Sequence, residues 1–462
     1  MSTHRTARIL ESLQPGPFHP LRVRAARAAF VPLLAGLLAA SLLLPATAAL
    51  AEDAASPSPA PTEPPYSTTL PISVDAKSVL VVDLLRGVRL FEKDSSTPVD
   101  LPVLNKAVTA YIALDEFPSG TMVTISKVAS DEDAGKLGLK TGEKVPLEYL
   151  VLGLLLQNSD AAAVALAEQV SGEEKSFLDR MNQLAAELGM ADTAFLDASG
   201  APVEGQKTTL DDAAKFFRKA LGQSSFARIF QMRDTFYMMP DKTSRHLTSR
   251  LDAAWSFVDT LTGGVRSDTD GRASVACTAT GKGFSLLCLV ADSPNVRVVG
   301  DVQKTVEGCF SAYESATLVV AGQRYGESET VDGVTFPIVF NQTVTYVRPI
   351  GTDVLADVHY ESLGRTSLPV LKTQTVGKAV YALTDGTTIA VDLFPENDVW
   401  NPSSPFDQVR RLYETYPDLF SIVLLLLGAM ALIVLGRVAE LAVKSGRRRS
   451  VQRASAGRMR RR

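Results

Sequence analysis

A hydroxyl group activated by a lysine is the first chemistry to look for in this sequence. Residues three apart on a helix lie on one face, so a lysine at that spacing can take the proton of an attacking serine. In the 462 residues, no lysine has a serine three positions before it. Threonine has this spacing in three places, at Thr124–Lys127, Thr141–Lys144 and Thr375–Lys378. Such pairs recur by chance, so the residues alone identify no nucleophile.

Residues that could bind a metal ion or a phosphate group are not clustered in the sequence. His4 and His19 precede a predicted cleavage site, and His246 and His359 are far apart. Neither H-E-x-x-H nor paired C-x-x-C occurs, and no glycine-rich phosphate loop is present. We therefore expect no metal site and no cofactor.

The three cysteines do not make a disulfide framework. Cys277 and Cys288 flank a predicted hairpin turn and could face each other across it, and Cys309 follows in a predicted helix. Lone cysteines are commonly small buried hydrophobic residues. A bridge between the first two stays open.

Charge is distributed unevenly along the chain. The net charge is −4, but the charges from Arg437 to Arg462 are almost all positive, so the rest of the chain is acidic. A folded body without a basic face is a poor nucleic-acid binder, and we expect no nucleic-acid partner.

Two apolar segments predict the topology. Arginines followed by the apolar run Phe30 to Leu50 are typical of a signal peptide over residues 1–51, with an uncleaved membrane helix as the alternative. Leu419 to Gly436 contains no charge and is followed at once by basic residues. It predicts a single transmembrane helix over 418–437, a cytoplasmic basic tail over 438–462 that contacts membrane lipid, and a body outside the cytoplasm.

The region between these segments divides by composition. We predict a Pro-rich linker over 52–72, a mixed α/β domain over 73–325, a small β domain over 334–394 and a stalk over 395–417. The mixed domain starts with a hairpin, and its predicted helices follow. These helices cover Leu104 to Glu116, Leu147 to Gln157, Asp160 to Val170, Glu174 to Leu188 and Asp301 to Tyr313. A late hairpin turns at Thr280 to Gly283.

One block of the mixed domain is distinctive. Phe177 to Met190, FLDRMNQLAAELGM, places apolar residues on one helix face and ends in Leu-Gly-Met, with Ser199-Gly200 in the loop after it. Together with the hairpin at Ser78 to Lys93, it resembles the serine-type D-Ala-D-Ala carboxypeptidases, the low-molecular-mass penicillin-binding proteins. The resemblance covers about Ser73 to Leu393. It implies a DD-peptidase/β-lactamase-like α/β sandwich with an antiparallel sheet, followed by a small all-β domain and the C-terminal transmembrane helix.

The resemblance implies three catalytic motifs, of which the first is S-x-x-K. The matching stretch is Pro102 to Tyr111, where Lys106 stands at the general-base position and Val103 at the nucleophile position. Valine has no lone pair with which to attack, and loss of a catalytic serine costs on the order of a million-fold in turnover.

The other two motifs also depart from the family pattern. The S-x-N motif falls at Gln157 to Ala161, so its Ser and Asn positions hold Asn158 and Asp160, or Gln157 and Ser159 in the shifted register. The K-T-G motif, which the resemblance assigns to the substrate carboxylate, falls at Arg266-Ser267-Asp268. Arg and Ser can replace Lys and Thr as donors, but an acidic residue in place of Gly faces an anionic substrate.

Three hypotheses follow from these departures. In the preferred one, the protein is an inactive member that binds peptidoglycan peptides or cell-wall enzymes. Lys106, Asn158, Ser159, Arg266 and Ser267 would then contact the ligand. The alternatives are an active carboxypeptidase with a different nucleophile, Ser95, Ser96 or Ser159, and a structural wall-facing module whose groove is filled.

Overall fold

The structure, a computed structural model, describes residues 70–401 except 134, 135, 366 and 385, single residues between 405 and 418, and residues 421–440. The predicted signal peptide, most of the predicted linker and the tail from 441 lie outside the described residues, as does most of the predicted stalk beyond 401.

The strands are β1 Ser78–Asp83, β2 Arg89–Lys93, β3 Met122–Thr124, β4 Lys144–Pro146, β5 Asp234–Met238, β6 Ser244–Thr248, β7 Leu261–Thr269, β8 Arg272–Gly281, β9 Phe284–Pro294, β10 Tyr313–Val319, β11 Arg324–Val331, β12 Val334–Phe340, β13 Val344–Pro349, β14 Leu355–Ser362, β15 Gly377–Leu383 and β16 Thr388–Pro395. The helices are α1 Pro102–Glu116, α2 Lys127–Asp131, α3 Leu147–Gln157, α4 Asp160–Ser171, α5 Glu174–Glu187, α6 Leu210–Ala220, α7 Ser224–Phe230, α8 Asp252–Trp255, α9 Val298–Ala312 and α10 Ser421–Glu440.

The main sheet has the order β2-β1-β9-β8-β7, and its pairs are antiparallel. Its two faces carry separate hydrophobic cores. One core joins the sheet to α1 and α3 to α7, and the other joins it to α8 and α9. Because both faces are covered, β1 is buried along its whole length and reads as a continuous apolar run.

The helical layer contains helices that are apolar on nearly all sides. Helix α3 buries nine of its eleven residues, and α1 is buried from Pro102 to Leu114. Helices with this composition belong inside a protein rather than on its surface. They therefore form a rigid support for residues at their ends.

The C-terminal part is all-β, as expected. Its five-stranded sheet has the order β11-β12-β16-β15-β14, and β10 pairs with β13. Tyr313 still belongs to the core under α9, whereas Val319 and Val331 belong to the core of the β part. Val319 precedes residue 325, the predicted end of the mixed domain, so the core of the β part already includes a residue of that segment.

The predicted elements of the mixed domain are present, with small shifts at the ends. Helix α9 begins at Val298 rather than Asp301, and α1 begins at Pro102 rather than Leu104. Cys277 and Cys288 face each other across β8 and β9 as buried free thiols. The described apolar C-terminal helix is Ser421–Glu440, which overlaps the predicted transmembrane helix over 418–437. Its mean hydropathy of 2.6 and its length make it able to cross a membrane, and none of it is buried in the protein.

Candidate functional site

Helix α1 carries the first motif. Proline at its first position has the helical φ angle already set, and the buried face of the helix begins there. Val103 is 2% exposed and belongs to the core between the sheet and the helices. The side chain that the resemblance assigns to the nucleophile position is therefore packed in this core.

Lys106 lies one turn after Val103 and is also buried. Its Nζ donates to Asp160 Oδ1 at 2.5 Å and to the carbonyl oxygen of Ser199. Burial lowers the pKa of Lys106, and the Asp160 carboxylate opposes this shift. Among the residues that the structure describes, these two acceptors are the partners found for Nζ, and neither is a hydroxyl.

The second motif lies where α3 ends and α4 begins. Asn158 ends α3 with φ 59° and ψ 41°, a left-handed conformation that asparagine tolerates better than most residues. The Ser159 hydroxyl then accepts from the backbone N–H of Ala162 and caps α4. Asp160, the first residue of α4, points at Lys106. The tight turn thus directs a carboxylate at the buried amine and uses the serine as a helix cap.

A second lysine joins this junction. Lys136 Nζ donates to the carbonyl oxygen of Asn158 at 2.5 Å and lies 3.6 Å from Asp160 Oδ2. Its loop is held by Asp133, whose carboxylate accepts from three successive backbone N–H groups. The sequence analysis missed Lys136, because nothing in its spacing indicates that the loop folds back on α3.

The third motif lies on β7, at the edge of the main sheet. The hydroxyl of Ser267 donates to Asn158 Oδ1 at 2.9 Å, so the structure brings the second and third motifs together. Arg266 and Asp268 point to the opposite side and pair at 2.7 Å. Asp268 also accepts two hydrogen bonds from Arg250, at 2.6 and 2.9 Å. Arg250 is a further site residue that sequence reasoning missed.

The loop after α5 closes over the start of α1. Asn105 donates to the carbonyl oxygen of Asp197 at 2.7 Å, and Thr109 donates to that of Ala198 at 2.8 Å. Gly200 has φ +81°, and a Cβ there would lie 2.6 Å from Pro102 Cα. Glycine is required at this position, and the loop delivers the Ser199 carbonyl to Lys106.

The alternative nucleophiles have other partners. Ser96 donates to Asp211 at 2.6 Å, and Ser95 lies within hydrogen-bond reach of Glu92 and Asp211. Neither has a described hydrogen bond to Lys106, and the Ser159 hydroxyl is used as the cap. Activation of a nucleophile requires a hydrogen bond to its base. Among the described residues, Lys106 is therefore a buried amine to which no serine hydroxyl is hydrogen-bonded.

The cationic side chains of the site form ion pairs with carboxylates of the protein itself. Asp160 lies against Lys106 and Lys136, and Asp268 against Arg250 and Arg266. Cations that could receive a substrate carboxylate are thus already engaged. The side chains of Asp160 and Arg250 remain 42% and 45% exposed, so solvent reaches the rim of the site.

A separate cleft of about 480 Å³ lies between the mixed domain and the β10–β13 pair. Its lining includes Arg86, Arg218 and Tyr346, and Arg86 donates across it to the carbonyl oxygen of Thr345. It shares no lining residue with the three motifs.

Comparison with known proteins gives one consistent picture. Residues 64–278 match the family model described as D-alanyl-D-alanine carboxypeptidase. D-alanyl-D-alanine carboxypeptidase DacF of Bacillus subtilis is 24% identical over 339 residues, covering 70% of this chain and 85% of the relative. Penicillin-binding protein 5 of Haemophilus influenzae superposes with a TM-score of 0.58 at 22% identity, covering 72% of this chain and 99% of that one. PBP3 of Streptococcus pneumoniae, described as a peptidoglycan synthesis regulatory factor, superposes with a TM-score of 0.62 at 18% identity, covering 71% and 100%.

Proposed function

Since residues 64–278 are a domain of the D-alanyl-D-alanine carboxypeptidase family, we propose that this protein has lost the acyl-transfer reaction and acts by binding peptidoglycan peptides or cell-wall enzymes. One observation carries this proposal. Val103, which the resemblance assigns to the nucleophile position, is buried, and the amine of Lys106 is held by Asp160 and the Ser199 carbonyl. Without a lone pair at residue 103, no acyl-enzyme can form there.

Retained binding is supported by the edge of the main sheet. β7 is a terminal strand, hydrogen-bonded in the sheet only to β8 among the described strands. An extended peptide can add to such an edge through its backbone, with side chains and charged groups at the rim giving specificity. The exposed Arg250 side chain contacts this strand at Asp268, and Asp160 follows closely after Asn158, which accepts from Ser267 on the same strand.

A filled structural module is the second candidate, and one observation favours it. Asp268 already engages both arginines, which leaves a peptide carboxylate to compete with a carboxylate of the protein. Binding of peptides with and without a free terminal carboxylate separates the two candidates.

We further propose that α10 anchors the protein in a membrane, with the body outside the cytoplasm and the basic tail inside. The length and hydropathy of Ser421–Glu440 support this, and so do the basic residues that follow it in the sequence. Extraction of membranes at alkaline pH should leave the protein in the pellet, and a protease added outside should remove the body but not the tail. Release of the full-length chain by alkali would contradict the anchor.

The experiment that tests the function uses the full chain and a synthetic stem peptide ending in D-Ala-D-Ala. We expect no release of D-Ala above the enzyme-free rate and saturable binding by equilibrium dialysis. Arg250→Ala should weaken binding, whereas Arg324→Ala, which removes an exposed pair with Glu396 in the β part, should not. Catalytic release of D-Ala would refute the proposal, and absence of binding would favour the structural module.

A further inference from the structure

The β5–β6 hairpin presents an apolar outer face with no described covering element. Side chains alternate along both strands, so the pairs Phe236–His246 and Met238–Ser244 share one face. Phe236 is 70% exposed and Met238 is 63% exposed. The inner face is different, because Leu247 is buried in the main core and Tyr237 packs on Tyr149 with ring centroids 5.5 Å apart.

The outer face is a built platform rather than a scatter of apolar side chains. The rings of Phe236 and His246 stack with centroids 4.3 Å apart and planes 16° apart. Asp234 flanks this platform on the same face, with its carboxylate 3.5 Å from His246 Nε2. Thr248 pairs with Asp234 across the hairpin, and Ser244 lies at the opposite end of the platform, paired with Met238. The side chains on the inner face of the hairpin pack against the protein and hold this platform in place.

The hairpin rises directly from the candidate site. At its base, Gln157 Nε2 donates to the carbonyl oxygen of Thr248 at 2.7 Å, and the backbone N–H of Arg250 donates to that of Leu156 at 3.0 Å. Gln157 and Leu156 are the residues that precede Asn158, and Arg250 holds Asp268. The base of the hairpin is therefore hydrogen-bonded directly to the residues that lead into the candidate site.

We infer that this face binds the sugar chain of peptidoglycan, with a hexosamine ring stacked on Phe236. The electron-rich face of an aromatic ring attracts the weakly positive C–H groups on the flat face of a pyranose, as it attracts the edge of another ring. Carboxylate and hydroxyl groups beside the ring match the hydroxyl and amide groups on the edge of the sugar. A purely apolar protein partner would leave these flanking polar groups without hydrogen bonds. The inference deepens the proposed function and rests on it, because the sugar chain carries the stem peptides.

The test uses a peptide-free probe, the tetramer of N-acetylglucosamine, so that its failure is separate from failure of the peptide site. The full chain, in a detergent without a sugar headgroup and with ¹³C-labelled methionine methyl groups, is titrated by NMR. We expect the methyl signal of Met238 to shift saturably. Phe236→Ala and Phe236→Leu should weaken binding by about fivefold or more, whereas Phe236→Trp should keep it.

Leu85→Ala is the matched control, because Leu85 is 71% exposed and lies in the turn between β1 and β2. It should leave the titration unchanged. Absence of a shift in the unmodified protein would overturn the inference, even if the stem peptide binds. Full binding by Phe236→Leu would also overturn it, because it would identify an apolar contact instead of ring stacking. Sugar binding without peptide binding would instead refute the proposed function of the peptide site.

Discussion

Removal of the Asp160 carboxylate should destabilise the folded protein, because it leaves the buried Lys106 without its counter-ion. Asp160→Ala leaves Lys106, whose side chain is 6% exposed, with the Ser199 carbonyl as its remaining described acceptor and with Lys136 nearby. Breaking a fully buried ion pair costs about 3–5 kcal/mol. Because the Asp160 side chain is 42% exposed, water can enter the vacated position, and we expect a loss of about 2 kcal/mol, roughly thirtyfold in the unfolding equilibrium.

The stability of the Asp160→Ala variant should depend on pH, in a direction that follows from the pKa of Lys106. Burial lowers the pKa of Lys106 in the folded state relative to the unfolded chain, and loss of Asp160 lowers this pKa further. As pH rises through the folded-state pKa, the folded variant releases a proton that the unfolded chain keeps up to its ordinary lysine pKa. The unfolded state then binds more protons, so the stability of the variant rises with pH in this window. The cost of Asp160→Ala should therefore shrink as pH rises through the folded-state pKa of Lys106.

The assay is urea denaturation of the full chain in a Trp400→Phe background, so that fluorescence reports Trp255 in the mixed domain. Asp131→Ala is the control, because Asp131 and its partner Lys127 are both exposed and such pairs contribute about 0.5 kcal/mol or less. Adding Lys106→Met to Asp160→Ala should recover stability by removing the unpaired buried charge. The reasoning is refuted if Asp160→Ala costs no more than the control, or if the double variant is no more stable than Asp160→Ala.

Two further predictions concern the rim and the loop of the site. Asp268→Ala should remove the carboxylate that engages Arg250 and Arg266. It should raise the affinity for a stem peptide with a free terminal carboxylate about tenfold, with no gain for the amidated peptide. Calorimetric titration of both peptides checks this, and equal gains would contradict it. Gly200→Ala should cost about 3 kcal/mol by urea denaturation, because its φ is +81° and its Cβ would lie 2.6 Å from Pro102 Cα. At Gly205 the φ angle is +92°, but the atom nearest to an added Cβ would lie 3.4 Å away. Gly205→Ala should therefore cost only about 1 kcal/mol. Equal losses of stability in the two variants would show that the close contact at Gly200 is unimportant.

Much of the fold follows from patterns that are local in the sequence. The apolar run of α3, the amphipathic face of α5 and the glycine-containing turn between β8 and β9 are local sequence signals, and these elements are present as predicted. The β5–β6 hairpin and helices α6 to α8 were not predicted. Helix α6 does carry local signals, because Thr209 caps it and acidic and basic residues stand in its first and last turns. The hairpin strands and helices α7 and α8 are short, and long-range packing determines their structure rather than local period.

The candidate site was predictable only in part, for the same reason. The resemblance placed Lys106, Asn158 and Ser267 at three motif positions, and the structure brings these elements together. Lys136 and Arg250 come from loops whose return to the site is a tertiary contact. The sequence indicates only that Asp160 departs from the motif, because its ion pair with Lys106 is a tertiary contact.

If the reaction has been lost as we propose, pairing of the buried cations with carboxylates of the protein explains how the fold is kept. A lysine buried beside valine, with no counter-ion, would be costly, and Asp160 and the Ser199 carbonyl offset that cost. Asp268 has the same effect for Arg250 and Arg266. The carboxylates that depart from the family motifs are therefore the groups that pair with the cations of the site.

The most direct test of the central claim is labelling of the full chain with a fluorescent penicillin, which acylates a serine nucleophile. The natural protein and a Val103→Ser variant are compared, with Ser96→Ala and Ser159→Ala tested beside them. We expect no covalent label on the natural protein, because residue 103 has no lone pair. A serine at 103, with Lys106 one turn away, is the change that would restore a nucleophile, and Val103→Ser with Asp160→Asn frees the amine as well. Covalent labelling of the natural protein, lost on substitution of Ser96 or Ser159, would contradict the account and identify a working penicillin-binding enzyme.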